Sequence, residues 1–194
     1  MSTTRTLAIS AGIIGLIGAL ASIGVFAAFS ASTSNAGNSI AAGTVVIADN
    51  DAGAAFYNVT NQKPGDTQQK CIKVTYTGSL DADVKIYTPD TIGAIGPYVN
   101  LTIEAGTQAS PTFPSCTGFT PDAGGPLFSG TLAGFAAANN SYANGILDRP
   151  GTVATKWVNN DSVVYRITAT LADNDLAQGT SSGTHSFKWE ARNQ

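Results

Sequence analysis

The chain has 194 residues, enough for one domain with a tail; 43% are hydrophobic and only 12% charged, about half the ~25% common in soluble domains. Ten Lys and Arg against thirteen Asp and Glu leave a net charge of -3, which excludes a nucleic-acid binder that works by neutralising phosphates. With 21 glycines, 8 prolines, one histidine and two cysteines, a coiled coil and an acidic solvating tail are also excluded, little remains for a metal cage, no cofactor is expected, and a weakly charged all-β protein is indicated.

In chain order, Arg5 is the sole charged residue before Asp49, and residues 7–28 read LAISAGIIGLIGALASIGVFAA, apolar apart from two serines. A short basic start, a long apolar run and small residues at its end make a secretory signal, with cleavage expected between Ala28 and Phe29. The run is also long enough to cross a bilayer as a helix, so a retained N-terminal anchor is the alternative. No basic residue follows it to hold it on the inner face, which favours the signal.

Beyond residue 42 the apolar residues recur with period two, the spacing of half-buried strands. Strands are expected at 43–48, 54–59 and 70–77, the first two parted by the Asp49-Asn50-Asp51 turn and the last two by Pro64-Gly65. Further strands are expected at 82–88, 98–104, 162–172 and 184–191. In these, Val84 and Ile86, then Val99, Leu101 and Ile103, then Val163, Tyr165, Ile167 and Ala169 share inner faces, as do His185, Phe187 and Trp189. Strands parted by turn signals predict an antiparallel sandwich over residues 43–194. Residues 105–150, rich in Pro, Gly, Ala and Asn, read as a long insertion packed on the sandwich, with a short helix at 132–138.

Cys71 and Cys116 form an even pair in a chain read as exported, so a disulfide is expected, with two free buried thiols as the alternative. Closing a loop of about 46 residues stabilises by roughly 4 kcal/mol on the chain-entropy account. Cys71 shares its strand face with Lys73 and Thr75, which places the bridge outside the main core and ties the insertion onto that face. His185, the sole histidine, reads as a packed ring, because zinc peptidases need two histidines one helical turn apart. Gly179-Thr180-Ser181-Ser182-Gly183 matches the serine-hydrolase G-x-S-x-G pattern, but between two strands it reads as a hairpin loop and not a strand-to-helix elbow. Two acidic turns, Asp49-Asn50-Asp51 and Asp173-Asn174-Asp175, could share a calcium ion, yet they lack the glycine and distal glutamate of an EF-hand. Turns closed by Asn and Asp side chains account for both without metal.

Gly24-Val25-Phe26-Ala27-Ala28-Phe29-Ser30, then Asn38-Ser39-Ile40-Ala41-Ala42-Gly43-Thr44 ahead of an alternating strand, resembles the start of the TasA/camelysin proteins. Lys63-Pro64-Gly65-Asp66, the strand from Lys70 and Gly78-Ser79-Leu80 resemble the family's next block, and the close from Phe187 is similar to its terminal strand. Ala31 stands where the family commonly has an acidic residue, and 105–150 matches no family motif. The resemblance implies a jelly-roll-like sandwich, processing by a signal peptidase of the SipW type, and polymerisation with itself, and with other matrix proteins, into extracellular biofilm fibres. The implied mode is donor-strand exchange, in which residues 29–42 of one subunit fill a strand position in the next. That segment is uncharged and proline-free, with Phe29 and Ile40 as apolar anchors. The sequence therefore reads as a secreted, non-enzymatic structural protein; the alternative is a monomeric cell-surface binding module held by the N-terminal helix.

Overall fold

A computed structural model describes residues 41–151 and 155–193. The chain separates into two units, Met1–Ala41 and Ala42–Gln194, and the described fold is that of the second. The expected signal 1–28, the Ala28–Phe29 junction and the anchors Phe29 and Ile40 lie outside the described residues.

Nine strands form two antiparallel sheets: β1 (Ile47–Asp49), β2 (Thr67–Tyr76), β3 (Asp83–Tyr87), β4 (Val99–Gln108), β5 (Phe119–Pro121), β6 (Phe128–Thr131), β7 (Ile146–Asp148), β8 (Ser162–Leu171) and β9 (Lys188–Arg192). The larger sheet runs β1-β2-β8-β4-β5, with β6 on the same edge of β4 as β5 but further back along it; the smaller runs β7-β3-β9. The sole described α-helix, α1 (Leu132–Ala138), follows β6 directly.

Period-two burial explains the pairing. On β2 the buried Ile72, Val74 and Tyr76 alternate with half-buried Lys73 and Thr75, and β8 buries Tyr165 and Ile167 opposite Ile72 and Lys70. Leu101, Ile103 and Ala105 of β4 continue the same inner face. Val84 and Ile86 of β3, with Trp189 and Ala191 of β9, close the core from the smaller sheet. Each fully buried aliphatic side chain of this kind stabilises by about 1.5–3 kcal/mol. Helix α1 forms where Thr131 Oγ1 accepts the Gly134 amide at 3.0 Å as its N-cap, and it buries Leu132 and Phe135, three apart on one face.

Polar bonds join the layers. Tyr165 Oη on β8 donates to Asp148 Oδ2 on β7 at 2.6 Å, and Trp157 Nε1 donates to the Asp148 carbonyl at 2.9 Å. Burial pushes the Asp148 carboxyl up and the Tyr165 phenol far up, so the tyrosine keeps its proton as donor. On the outer face of the larger sheet, Arg166 grips Glu104 with two bonds of 2.6 and 2.8 Å across the β8–β4 pair.

Three expectations change. Residues 54–59 form no strand: Ala52 and Gly53 take φ of +53° and +81°, turning the chain after the Asp51 carboxylate accepts the Gly53 amide at 2.6 Å. The 105–150 region is more than a cover, because β5 and β6 extend the larger sheet and β7 the smaller. Its strands are three or four residues long, too short for alternation to show among Gly and Pro. The final strand begins at Lys188, leaving His185 and Phe187 in the approach to it, because the Ser186 amide and hydroxyl both donate to Asp90 Oδ2 and bend the chain there.

Candidate functional site

The chain enters the sandwich alongside β2. The Ser79 amide donates to the Thr44 carbonyl at 2.9 Å and the Thr77 amide to the Val46 carbonyl at 2.9 Å. Gly78 permits this approach, since a β-carbon there would collide with the Thr44 carbonyl and the Tyr76 ring. These bonds extend the backbone pairing of β1, which among the described residues has β2 as its one strand partner. β9 likewise pairs with β3 alone among the described residues. The free edges of β1 and β9 face each other across an open seam, a groove of about 180 Å³ lined by Ile47, Ala48, Asp49, Val74, Phe187 and Trp189 beside Lys188.

Aromatic rings form the seam's inner wall. Trp189 lies 5.2 Å from the buried Tyr165 ring, and Phe56, reaching in from the β1–β2 connection, stands 5.9 Å from Phe187, 6.3 Å from Trp189 and 5.7 Å from Phe113. The neighbouring Tyr57 hydroxyl shares a 2.7 Å hydrogen bond with His185 Nε2, and burial raises the Tyr57 phenol well above its ordinary range. Phe56 and Tyr57 therefore strap the connection across one end of the seam. Sequence reading assigned them to a strand; an isolated Phe-Tyr pair between two turn signals was the available sign of a plug.

The rest of the seam lies open. An edge of unpaired N–H and C=O groups with an apolar groove beside it can accept one more strand, backbone to backbone, while an apolar side chain enters the groove. β9 also carries Lys188, Glu190 and Arg192 on its outward face. The Glu190 carboxylate, accepting from Tyr87 Oη at 2.5 Å and from Arg192 at 2.7 Å, is held down to about 2.

The residues chosen from sequence fall as follows. Cys71 and Cys116 are joined as a disulfide, with Cys71 buried outside the intersheet cluster and its amide donating to the Pro114 carbonyl at 3.1 Å, so the bridge clamps the 111–118 loop on the outer face of β2. The Gly179–Gly183 pattern connects strands of different sheets and is no hairpin; the Ser181 and Ser182 carbonyls accept the Ile95 and Gly93 amides. His185 Nε2 is engaged with the Tyr57 hydroxyl and its Nδ1 lies 3.2 Å from the Gly183 carbonyl, so its ring nitrogens bond to other groups than that loop's serine hydroxyls. In the acidic turns Asp49 Oδ1 accepts the Asp51 amide and Asn174 Oδ1 the Leu176 amide, closing those turns, while Asn50 Oδ1 accepts the Lys73 amide and ties its turn to β2.

These features define a class first: an all-β antiparallel sandwich, disulfide-clamped, with an open strand edge. Residues 4–95, just under half of the chain, match the family model described as Camelysin metallo-endopeptidase, which supports the resemblance to the TasA/camelysin family. No curated protein matches the chain. The family points to an extracellular or cell-surface protein, and no described helix is long and apolar enough to cross a membrane. The metal in the family's description does not fit the donors present. Both cysteines are consumed by the disulfide, there is one histidine, and the described residues bring no three His, Cys, Asp or Glu together. The remaining residues, 1–40, 152–154 and 194, contain none of those four types.

Proposed function

We propose that this chain is a secreted, non-enzymatic structural protein that assembles into extracellular matrix fibres, each copy placing residues 29–42 into the β1–β9 seam of the next. The observation that carries the reading is the outer edge of β9, unpaired among the described residues and facing β1 across an apolar groove. The family match supports the same reading. The arm is uncharged and proline-free, so every residue can donate to a strand ladder, and Ile40 supplies a side chain suited to the space beside Trp189. An arm-to-seam contact is head-to-tail and does not close on itself, so it propagates into a filament. Export places the arm outside the cell, with a signal peptidase of the SipW type as the enzyme that frees Phe29. Electron microscopy of the purified secreted protein should show filaments, and deletion of residues 29–40 should abolish them while the folded sandwich persists. Equal polymerisation of the truncated chain would refute the donor role.

One observation favours a second reading. Lys188, Glu190 and Arg192 place charge on the strand that bears the free edge, a device by which monomeric sheet proteins resist edge-to-edge pairing. A monomeric surface module, held by an uncleaved N-terminal helix, would give a released mass that retains residues 1–28 in detergent extracts and no filaments.

A further inference from the structure

Five of the chain's ten lysines and arginines, drawn from three separate stretches of sequence at 85, 149–156 and 188–192, meet on the outer face and flank of the smaller sheet. Arg192 stacks over the Tyr142 ring at 4.1 Å, and Lys85 approaches the same ring at 5.1 Å while donating to the Ala143 carbonyl. Lys188 lies 5.4 Å over Tyr87. Lys156 and Arg149 reach Asp83 at 2.7 and 3.9 Å. The carboxylates ion-paired to these five cations are Asp83 and Glu190, so the cations outnumber their ion-pair partners by three on a chain whose net charge is -3. Lys188 and Arg192 keep 52% and 55% of their side-chain surface exposed, and Arg149 keeps 40%, enough to meet a ligand.

We infer that this face binds a flexible anionic polysaccharide, a glycan chain bearing spaced carboxylate or phosphate groups. The cations are laid out on a flat, rigid lattice: residues 188 and 192 stand about 13 Å apart along β9, and β3 runs beside it at about 4.8 Å. Tyrosine rings beneath the cations hold them in place by cation–π attraction. Those rings, Tyr87 and Tyr142, are only 5% and 7% exposed, so they offer no platform for the base stacking that single-stranded nucleic acid requires. Duplex DNA needs a helix or ribbon to enter a groove and brings dense charge against an acidic molecule; a flat face of a net-negative protein suits neither need. A pliable polymer of lower charge density follows the lattice and meets the local surplus without confronting the whole chain's field.

Binding of the purified protein to polygalacturonate, phosphate-bearing teichoic acid, neutral dextran and duplex DNA at 20 to 300 mM salt tests the inference. One of the two anionic glycans should bind and weaken steeply as salt rises, and dextran should not bind. The Lys85→Gln/Lys188→Gln pair should weaken that binding roughly tenfold, as two lost exposed charge contacts imply. Arg149→Gln/Lys156→Gln, remote from the seam, should do the same, while Lys63→Gln/Lys70→Gln should not. Filaments imaged in the same samples separate loss of polymer binding from loss of assembly. No binding to either glycan at low salt, equal loss in the Lys63/Lys70 pair, or DNA bound as tightly as the glycans would overturn the assignment.

Discussion

The two sheets are built from the same alternation but differ in how they are held. The larger joins three strands of ten residues, β2, β8 and β4, each paired along most of its length, with a disulfide and a bidentate Arg166–Glu104 pair bracing its outer face. The smaller joins strands of three to five residues drawn from positions 83 to 192, and two of its links to the rest are a buried tyrosine–carboxylate bond and an aromatic wall. Long strands in register make a scaffold; short strands assembled from distant segments make edges and exposed faces. The cationic face belongs to the smaller sheet, whose β9 also supplies one side of the open seam.

Substitutions on each side sharpen that contrast. The largest effect should come from the clamp: Cys71→Ala/Cys116→Ala should lower unfolding free energy by roughly 4 kcal/mol, measured by urea titration, because the open chain gains loop entropy. Less than about 1 kcal/mol would mean that backbone pairing alone holds the 111–118 loop. Next, Tyr165→Phe should cost about 1–3 kcal/mol by removing the phenol donor from the buried Asp148 carboxylate. Its effect on hydrogen exchange should appear at β7 and β3 before β8. Phe56→Ala, at a half-buried ring, should cost about 1–2 kcal/mol and speed exchange at residues 187–192 while leaving 163–169 protected. Uniform acceleration of both sheets would break the contrast.

The smallest effects are those of pH. Glu190 is held low by Tyr87 and its two cations, so its contribution is complete above about 4.5 and is lost as pH falls toward about 2. Asp90, lowered by Ser186, acts in the same direction. Asp148 has the opposite sign: burial raises it, so its ionisation opposes folding as pH climbs above 3.8. Urea midpoints between pH 2 and 6 should therefore flatten at the acid end in Glu190→Gln, and Asp148→Asn should gain stability relative to wild type as pH rises through that range.

Much of the larger sheet was legible because ten-residue strands show five or so alternations; Ile72, Val74 and Tyr76, or Val163, Tyr165 and Ile167, leave one reading. The helix was legible at 132–138, where Leu132 and Phe135 sit three apart among alanines. Strands β5 to β7 were hidden, since three or four residues cannot display a period and their pairing is decided by partners 11 to 64 residues away. The disulfide was legible by count. The seam was not, because an edge is defined by which strand fails to pair, a property of topology and not of residue type. The cationic face was hidden for a related reason: its five cations come from three stretches between positions 85 and 192, and composition reports only their overall balance with the acids.

Fibre assembly through the seam is tested most directly by site-specific cross-linking between copies. Chains carrying Ile40→Cys are mixed with chains carrying Lys188→Cys, and the products are captured with a short thiol-reactive linker under conditions that leave the native disulfide intact. The account predicts cross-linked dimers in this mixture, absent when either partner is omitted and absent when Thr120→Cys, on the far edge of the larger sheet, replaces Lys188→Cys. Equal capture at position 120, or none at position 188 in samples that contain filaments, would contradict it.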